Sequence, residues 1–189
     1  MTSLELQTKL AQIQNLRGLT YPVLRRLVQQ GRLMKVREGE IIVGPRFGTK
    51  GAFVILEGAV SVVLPFGPVV SYLEANKMFG EIALLDGVER TAYCKAYTDC
   101  LLFEVPFGSF HADLATNPVV RAGMEELAVN RLNTNEAVRE GMYRPDLEPP
   151  EKTELEVVEP AADAGGVELD DAPEPKPEAP KPPAVYATA

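Results

Sequence analysis

Residues 79–92 read FGEIALLDGVERTA and place a glycine, a carboxylate, an apolar run, an arginine, a hydroxyl and an alanine in close order. A short helix EIALL that starts directly after Gly80 would present unpaired backbone N–H groups and a partial positive charge, with no side chain at the glycine to obstruct approach. Glu81 in its first turn can accept hydrogen bonds from a sugar hydroxyl. Arg90, nine residues on, brings a permanent charge and a planar fork that matches two phosphate oxygens. Thr91 adds a hydroxyl, and Ala92 lets the backbone come close. Alone, Gly80 reads as a helix-entry turn, Glu81 as a partner of the helix dipole and Arg90 as a strand charge on the surface. Together they suit a ligand with hydroxyl and phosphate at neighbouring points, as in a ribose cyclic phosphate.

The elements that must position these residues divide into helices at both ends and strands between. Leu4, Leu6, Leu10, Ile13 and Leu16 recur at helical spacing, and Thr20 with Pro22 opens a second helix through VLRRLVQQ. From Leu33 the runs LMKV, EIIV, AFVIL, AVSVVL, VVSYL, TAYCKAY and CLLFEV are short, β-rich and separated by turn residues. Seven such runs predict a mainly β domain, an antiparallel roll of the jelly-roll type with flanking N- and C-terminal helices. PFGSFHADLA and NPVVRAGMEELAVNRLNTNEAVRE predict two closing helices, the second starting at Pro118. Val120, Met124, Leu127 and Ala128 on it would serve a homodimer seam through residues 118–132 or pack on the roll. His111 is expected to be an exposed helix residue.

Charge locates a second boundary. Residues 144–189 hold twelve acids and four bases, so they carry the whole net charge of −8, while residues 1–143 balance fifteen bases with fifteen acids. Ten of the sixteen prolines also lie after residue 143. This composition predicts a folded domain over 1–143 and a disordered acidic Pro-rich tail over 144–189. Neither part offers nucleic acid a basic platform. No run reaches the ~18 apolar residues of a membrane span, and MTSLELQTKLAQIQNLRG lacks the apolar centre of a signal peptide, so the expected location is the cytoplasm. Cys94 and Cys100 read as two buried free thiols. With His111 as the sole histidine there is no metal cluster, and no nucleophile–base pair appears that would make an enzyme.

The phrases REGEIIV, FVILEGAVSVV, SYL, FGEIALL, ERTA, TDC before LLFEV, and ATNP resemble, over roughly residues 15–140, the cyclic nucleotide-binding domain. That domain is shared by bacterial catabolite activators, protein kinase regulatory subunits and nucleotide-gated channels, and SYL, ERTA and the NP helix start are closest to the activator branch. The resemblance implies a cassette in which Gly80 and the helix N–H groups with Ile82 bind phosphate, Glu81 binds the ribose 2′-hydroxyl and Arg90 binds the phosphate charge, with Thr91 and Ala92 completing the cradle. The ligand implied is cyclic AMP or cyclic GMP, without further cofactor, and Thr91 is compatible with either. Base contacts are implied from the last helix, where Thr134 and Asn135 stand with Glu136. Asn76, Lys77 and Met78 replace the usual glycine–aspartate pair. PDLEPPEKTELE follows where an activator would have its helix-turn-helix, so the expected output is through a protein partner. The other reading of the same fold is an interaction scaffold that binds no nucleotide.

Overall fold

The computed structural model describes residues 1–48, 50–143, 145, 147–151 and 169–171. The chain opens with α1 (Ser3–Gln12), a 3-10 turn (Gln14–Leu16) and α2 (Tyr21–Gln30). Thr2 and Glu5 cap α1 reciprocally: Thr2 Oγ1 accepts from the Glu5 N–H, and the Glu5 carboxylate accepts from the Thr2 N–H at 2.7 Å. The expected first helix therefore stops short of Leu16, which still reaches the core from the 3-10 turn.

Eight strands follow before the last helix: β1 (Arg32–Val36), β2 (Ile41–Val43), β3 (Ala52–Glu57), β4 (Ala59–Val63), β5 (Val69–Glu74), β6 (Met78–Phe79), β7 (Tyr93–Ala96) and β8 (Cys100–Val105). Between them lies α3 (Glu81–Leu85), and after them come α4 (Phe107–Ser109), which runs into a π-helical turn (Phe110–Leu114), and α5 (Pro118–Arg139). One sheet has the order β6-β3-β8-β1, with β9 (Leu169–Asp171) in parallel beside β1, and the other has β2-β7-β4-β5. All other pairings are antiparallel. The predicted β-roll with flanking helices is thus the observed fold. β6 was not expected, since two residues carry no readable period. Thr91 and Ala92 precede β7 instead of opening it. Of the segment 144–189, read as disordered, Leu169–Asp171 form β9, and most of the remainder lies outside the described residues.

β3 and β8 are central and buried on both faces, which is why AFVIL is an unbroken apolar run and CLLFEV is interrupted only by Glu104. Their period-two alternation feeds two cores. Phe53, Ile55 and Leu102 point into the roll, with Met34, Val60, Leu73, Phe79 and Cys94. Val54, Leu56, Phe103 and Val105 point the other way, onto Leu6, Leu10, Leu27, Phe110, Val120 and Met124 of the helices. The α5 stripe Val120, Met124 and Ala128 is therefore buried inside the chain, and the exposed large apolar residues of α5 are Val119 and Val129. Asn117 caps α5 by accepting from the N–H groups of Val119 and Val120.

His111 is half-buried, between the rings of Phe107 and Phe110, and its Nε2 has no hydrogen-bond partner among the described residues, so the exposed placement expected from sequence is corrected. The π turn widens the backbone there and buries Asp113, which Arg26 of α2 holds through a hydrogen bond of 3.0 Å from its Nε. Tyr72 and Tyr97 pack edge to face across the second sheet.

Both thiols are free and buried, and burial pushes Cys94 up to about 12 and Cys100 up to about 11. An acid whose folded pKa is raised contributes stability below its unfolded value near 8.5 and loses it as pH climbs through the folded value. Going from pH 7.5 to pH 10 should therefore cost about 2 kcal/mol for each thiol. Denaturant melts at the two pH values check this: the double variant Cys94→Ala/Cys100→Ala should lose distinctly less stability than the parent over that interval, and an equal loss contradicts the assignment.

Candidate functional site

Gly80 enters α3 in the left-handed conformation, φ 83°, which an L side chain rarely adopts. Space enforces the same choice, because a Cβ there would lie 2.7 Å from Arg90 Nη1. The bare backbone lets Arg90 fold back over the turn, where Nη1 donates to the Gly80 carbonyl at 3.0 Å and Nη2 to the Gly51 carbonyl at 2.7 Å. Burial pushes the Arg90 guanidinium below its ordinary value, and neighbouring Cys94, Glu81 and Glu104 oppose that shift.

Glu81 is fully buried, with 0% of its surface exposed. Its Oε1 accepts from Arg131 Nη1 at 2.6 Å, and Arg131 Nη2 also donates to the Met78 carbonyl at 2.9 Å. The second oxygen, Oε2, has no hydrogen-bond partner among the described residues. A buried carboxylate oxygen left unpaired is costly, and it marks where a donor from outside the chain would be accepted.

These groups line a cavity of about 270 Å³. Gly80, Glu81, Ile82, Arg90, Thr91 and Ala92 form its floor, and Thr134 and Asn135 reach it from α5, so every candidate residue named from sequence faces one space. Val62, Val70 and Leu73 supply an apolar wall. The two candidate base contacts differ in state. Thr134 already donates its hydroxyl to the Asn130 carbonyl at 2.9 Å, whereas the Asn135 amide, 6% exposed, makes no hydrogen bond among the described residues. The charged lining residues are Arg90, Arg131 and Glu81, which leaves one net positive charge and suits a monoanion.

Arg131 is the functional residue that sequence reasoning missed. It stands one helical turn before Thr134 and Asn135, so the spacing that placed those two on the cavity side places Arg131 there as well. Arg139, two turns further along α5, donates from Nη2 to the Thr91 carbonyl at 2.9 Å. Among the described residues there is no cluster of three or more metal-ligating side chains, and no helix is long and apolar enough to cross a membrane.

Residues 33–117 match the model of the Cyclic nucleotide-binding domain family, the family that FGEIALL and ERTA resemble. The chain is 35% identical over 98 residues to human potassium/sodium hyperpolarization-activated cyclic nucleotide-gated channel 2, a match that covers 52% of this chain and 10% of the channel. It therefore spans about a tenth of that relative. Among solved structures, the regulatory domain of Toxoplasma gondii PKA with cAMP superposes with a TM-score of 0.61 at 20% identity, covering 68% of this chain and 50% of that one. The sensor domain of the transcriptional regulator DNR from Pseudomonas aeruginosa gives 0.59 at 15% identity, covering 69% and 96%. At these identities the structures establish the shared fold.

Removing Arg131 strands the Glu81 charge in the interior, and breaking one side of a buried pair costs about 3–5 kcal/mol. Arg131→Ala should lower unfolding stability by about 3 kcal/mol, and adding Glu81→Leu in the same chain should restore most of it. Guanidinium melts of the three proteins measure this. A single variant as stable as the parent would show that the pair carries no such load.

Proposed function

We propose that this chain is a cyclic nucleotide sensor, for cyclic AMP or cyclic GMP, that reports occupancy to a protein partner through α5 and the residues after it. The observation that carries the reading is the fully buried Glu81, with one oxygen tied to α5 by Arg131 and the other without a partner among the described residues, in the lining of a cavity that Arg90 lines as well.

In this reading the ribose 2′-hydroxyl donates to Glu81 Oε2, and the cyclic phosphate takes hydrogen bonds from Arg90 and the backbone after Gly80. The base lies along Val62, Val70 and Leu73, with Asn135 offering an amide donor and acceptor to its edge. A ligand placed there touches the cassette and α5 at once. It moves α5 only by as much as its affinity differs between the two positions of that helix. The role is one of binding, with the consequence carried by helix position, as in a regulatory module.

The Arg90 fork is engaged by two carbonyls, and Arg131 and Arg139 tie α5 to the cassette. That self-sufficiency supports the second reading, an interaction scaffold with no physiological nucleotide. Calorimetric titration with cyclic AMP, cyclic GMP and a cyclic dinucleotide separates the two. The sensor reading expects saturable binding of one of the first two, weakened about 100-fold in Arg90→Ala, the worth of a charge-assisted pair near 3 kcal/mol. Asn135→Ala should narrow the difference between the adenine and guanine ligands. Absence of both heat and thermal shift with all three ligands would give the scaffold reading the chain.

A further inference from the structure

We infer that Gly51 and Glu104, which lie outside the cassette, are the positioning residues that hold the Arg90 guanidinium in its orientation. The importance of that orientation for a phosphate rests on the cyclic nucleotide reading above.

Arg90 sits in the irregular stretch between α3 and β7, on a long side chain with many rotamers. Among the described residues two carbonyls accept from its fork: Gly80 belongs to the same local turn, but Gly51 immediately precedes β3, thirty-nine residues away in sequence, and accepts the shorter bond of 2.7 Å. The Gly51 backbone in turn lies close against Glu104. A Cβ at Gly51 would lie 2.7 Å from Glu104 Oε1, 2.9 Å from Glu104 Cγ and 3.1 Å from the Val105 carbonyl. The Glu104 side chain therefore occupies the place where a side chain at 51 would go.

Glu104 is a carboxylate on the central strand β8, 6% exposed, on the face that Cys100 and Leu102 turn into the roll. Its cross-strand partner on β1 is Arg32, whose Nε donates to Glu104 Oε2 at 2.6 Å. A row thus runs Arg32, Glu104, the Gly51 backbone and Arg90, with the negative charge of Glu104 favouring the charged form of Arg90 against its burial. An arginine restrained in this way before ligand arrives has already lost the rotamer freedom that binding would otherwise remove.

Two measurements decide it. In ligand-free protein, Arg90 Nη protons, assigned by comparison with Arg90→Lys, should show hindered rotation in side-chain 15N spectra. Gly51→Ala should abolish that hindrance, and Glu104→Gln, which keeps the shape and removes the charge, should weaken it. In titrations, Gly51→Ala should bind cyclic AMP and cyclic GMP about tenfold more weakly while binding adenosine and guanosine as the parent does, and it should add no loss in an Arg90→Ala background. Unchanged Arg90 signals in both variants overturn the inference, as does an equal loss for nucleosides and cyclic nucleotides. If the parent binds no cyclic nucleotide, the sensor reading fails, and the ligand-free spectra still decide the roles of Gly51 and Glu104. If Gly51→Ala does not fold, Glu104→Gln carries both measurements.

Discussion

A carboxylate taken wholly out of water is the constraint around which this structure is arranged. Glu81 sits at the first turn of α3 with no exposed surface, and a charge in that position persists only if fixed partners replace its hydration. Arg131 supplies half of that replacement, and in doing so it commits α5 to a place over the cassette. The Met78 carbonyl takes the other branch of the same guanidinium, which orients it toward Glu81. The unpaired Oε2 is the half left over. A purely structural ion pair would be expected to satisfy both oxygens, because an orphaned one is a standing cost.

The strands make this arrangement affordable in the spatial sense. β3 and β8 are sealed on both faces, so the carbonyl of Gly51 and the side chain of Glu104 hang from paired, buried strands while facing the irregular stretch before β7. The loop that carries Arg90 has no ladder of its own. It borrows position from the sheet through one hydrogen bond and from the α3 turn through another. Functional groups on a loop gain precision from such a scaffold without the loop itself needing regular structure.

What could be read in the sequence follows the range of the interactions. The roll was legible because its strands repeat at short spacing, and the cassette was legible because Gly80 through Ala92 act on one another locally and match a known pattern. Arg131 and Arg139 were not legible. Their partners Glu81 and Thr91 lie far back in the chain, and an arginine on an amphipathic helix looks the same whether it meets solvent or a buried carboxylate. Gly51 was invisible for a related reason. In sequence it is one glycine in a turn, and only the register that sets Ala52 opposite Val105 brings it against Glu104. His111 failed differently, since Phe107 one turn before it and Phe110 beside it both turn their rings onto the imidazole, a packing that an isolated histidine on a short helix does not announce.

The same distinction separates the two halves of α5. Its first turns are held by apolar contacts, with Val120 and Met124 inside the helical core, and such contacts are indifferent to an anion nearby. Beyond Ala128 the attachments are mainly polar: Arg131 to Glu81, Arg139 to the Thr91 carbonyl, with Val138 packed on the small cluster of Leu64, Val70 and Ala92. Every one of those partners belongs to the cassette or to the sheet beside it. The two halves are thus attached by forces of different kind, the second by polar bonds that a nearby charge perturbs and the first by apolar contacts that it does not. The boundary falls near Ala128, one turn before the residues that face the cavity.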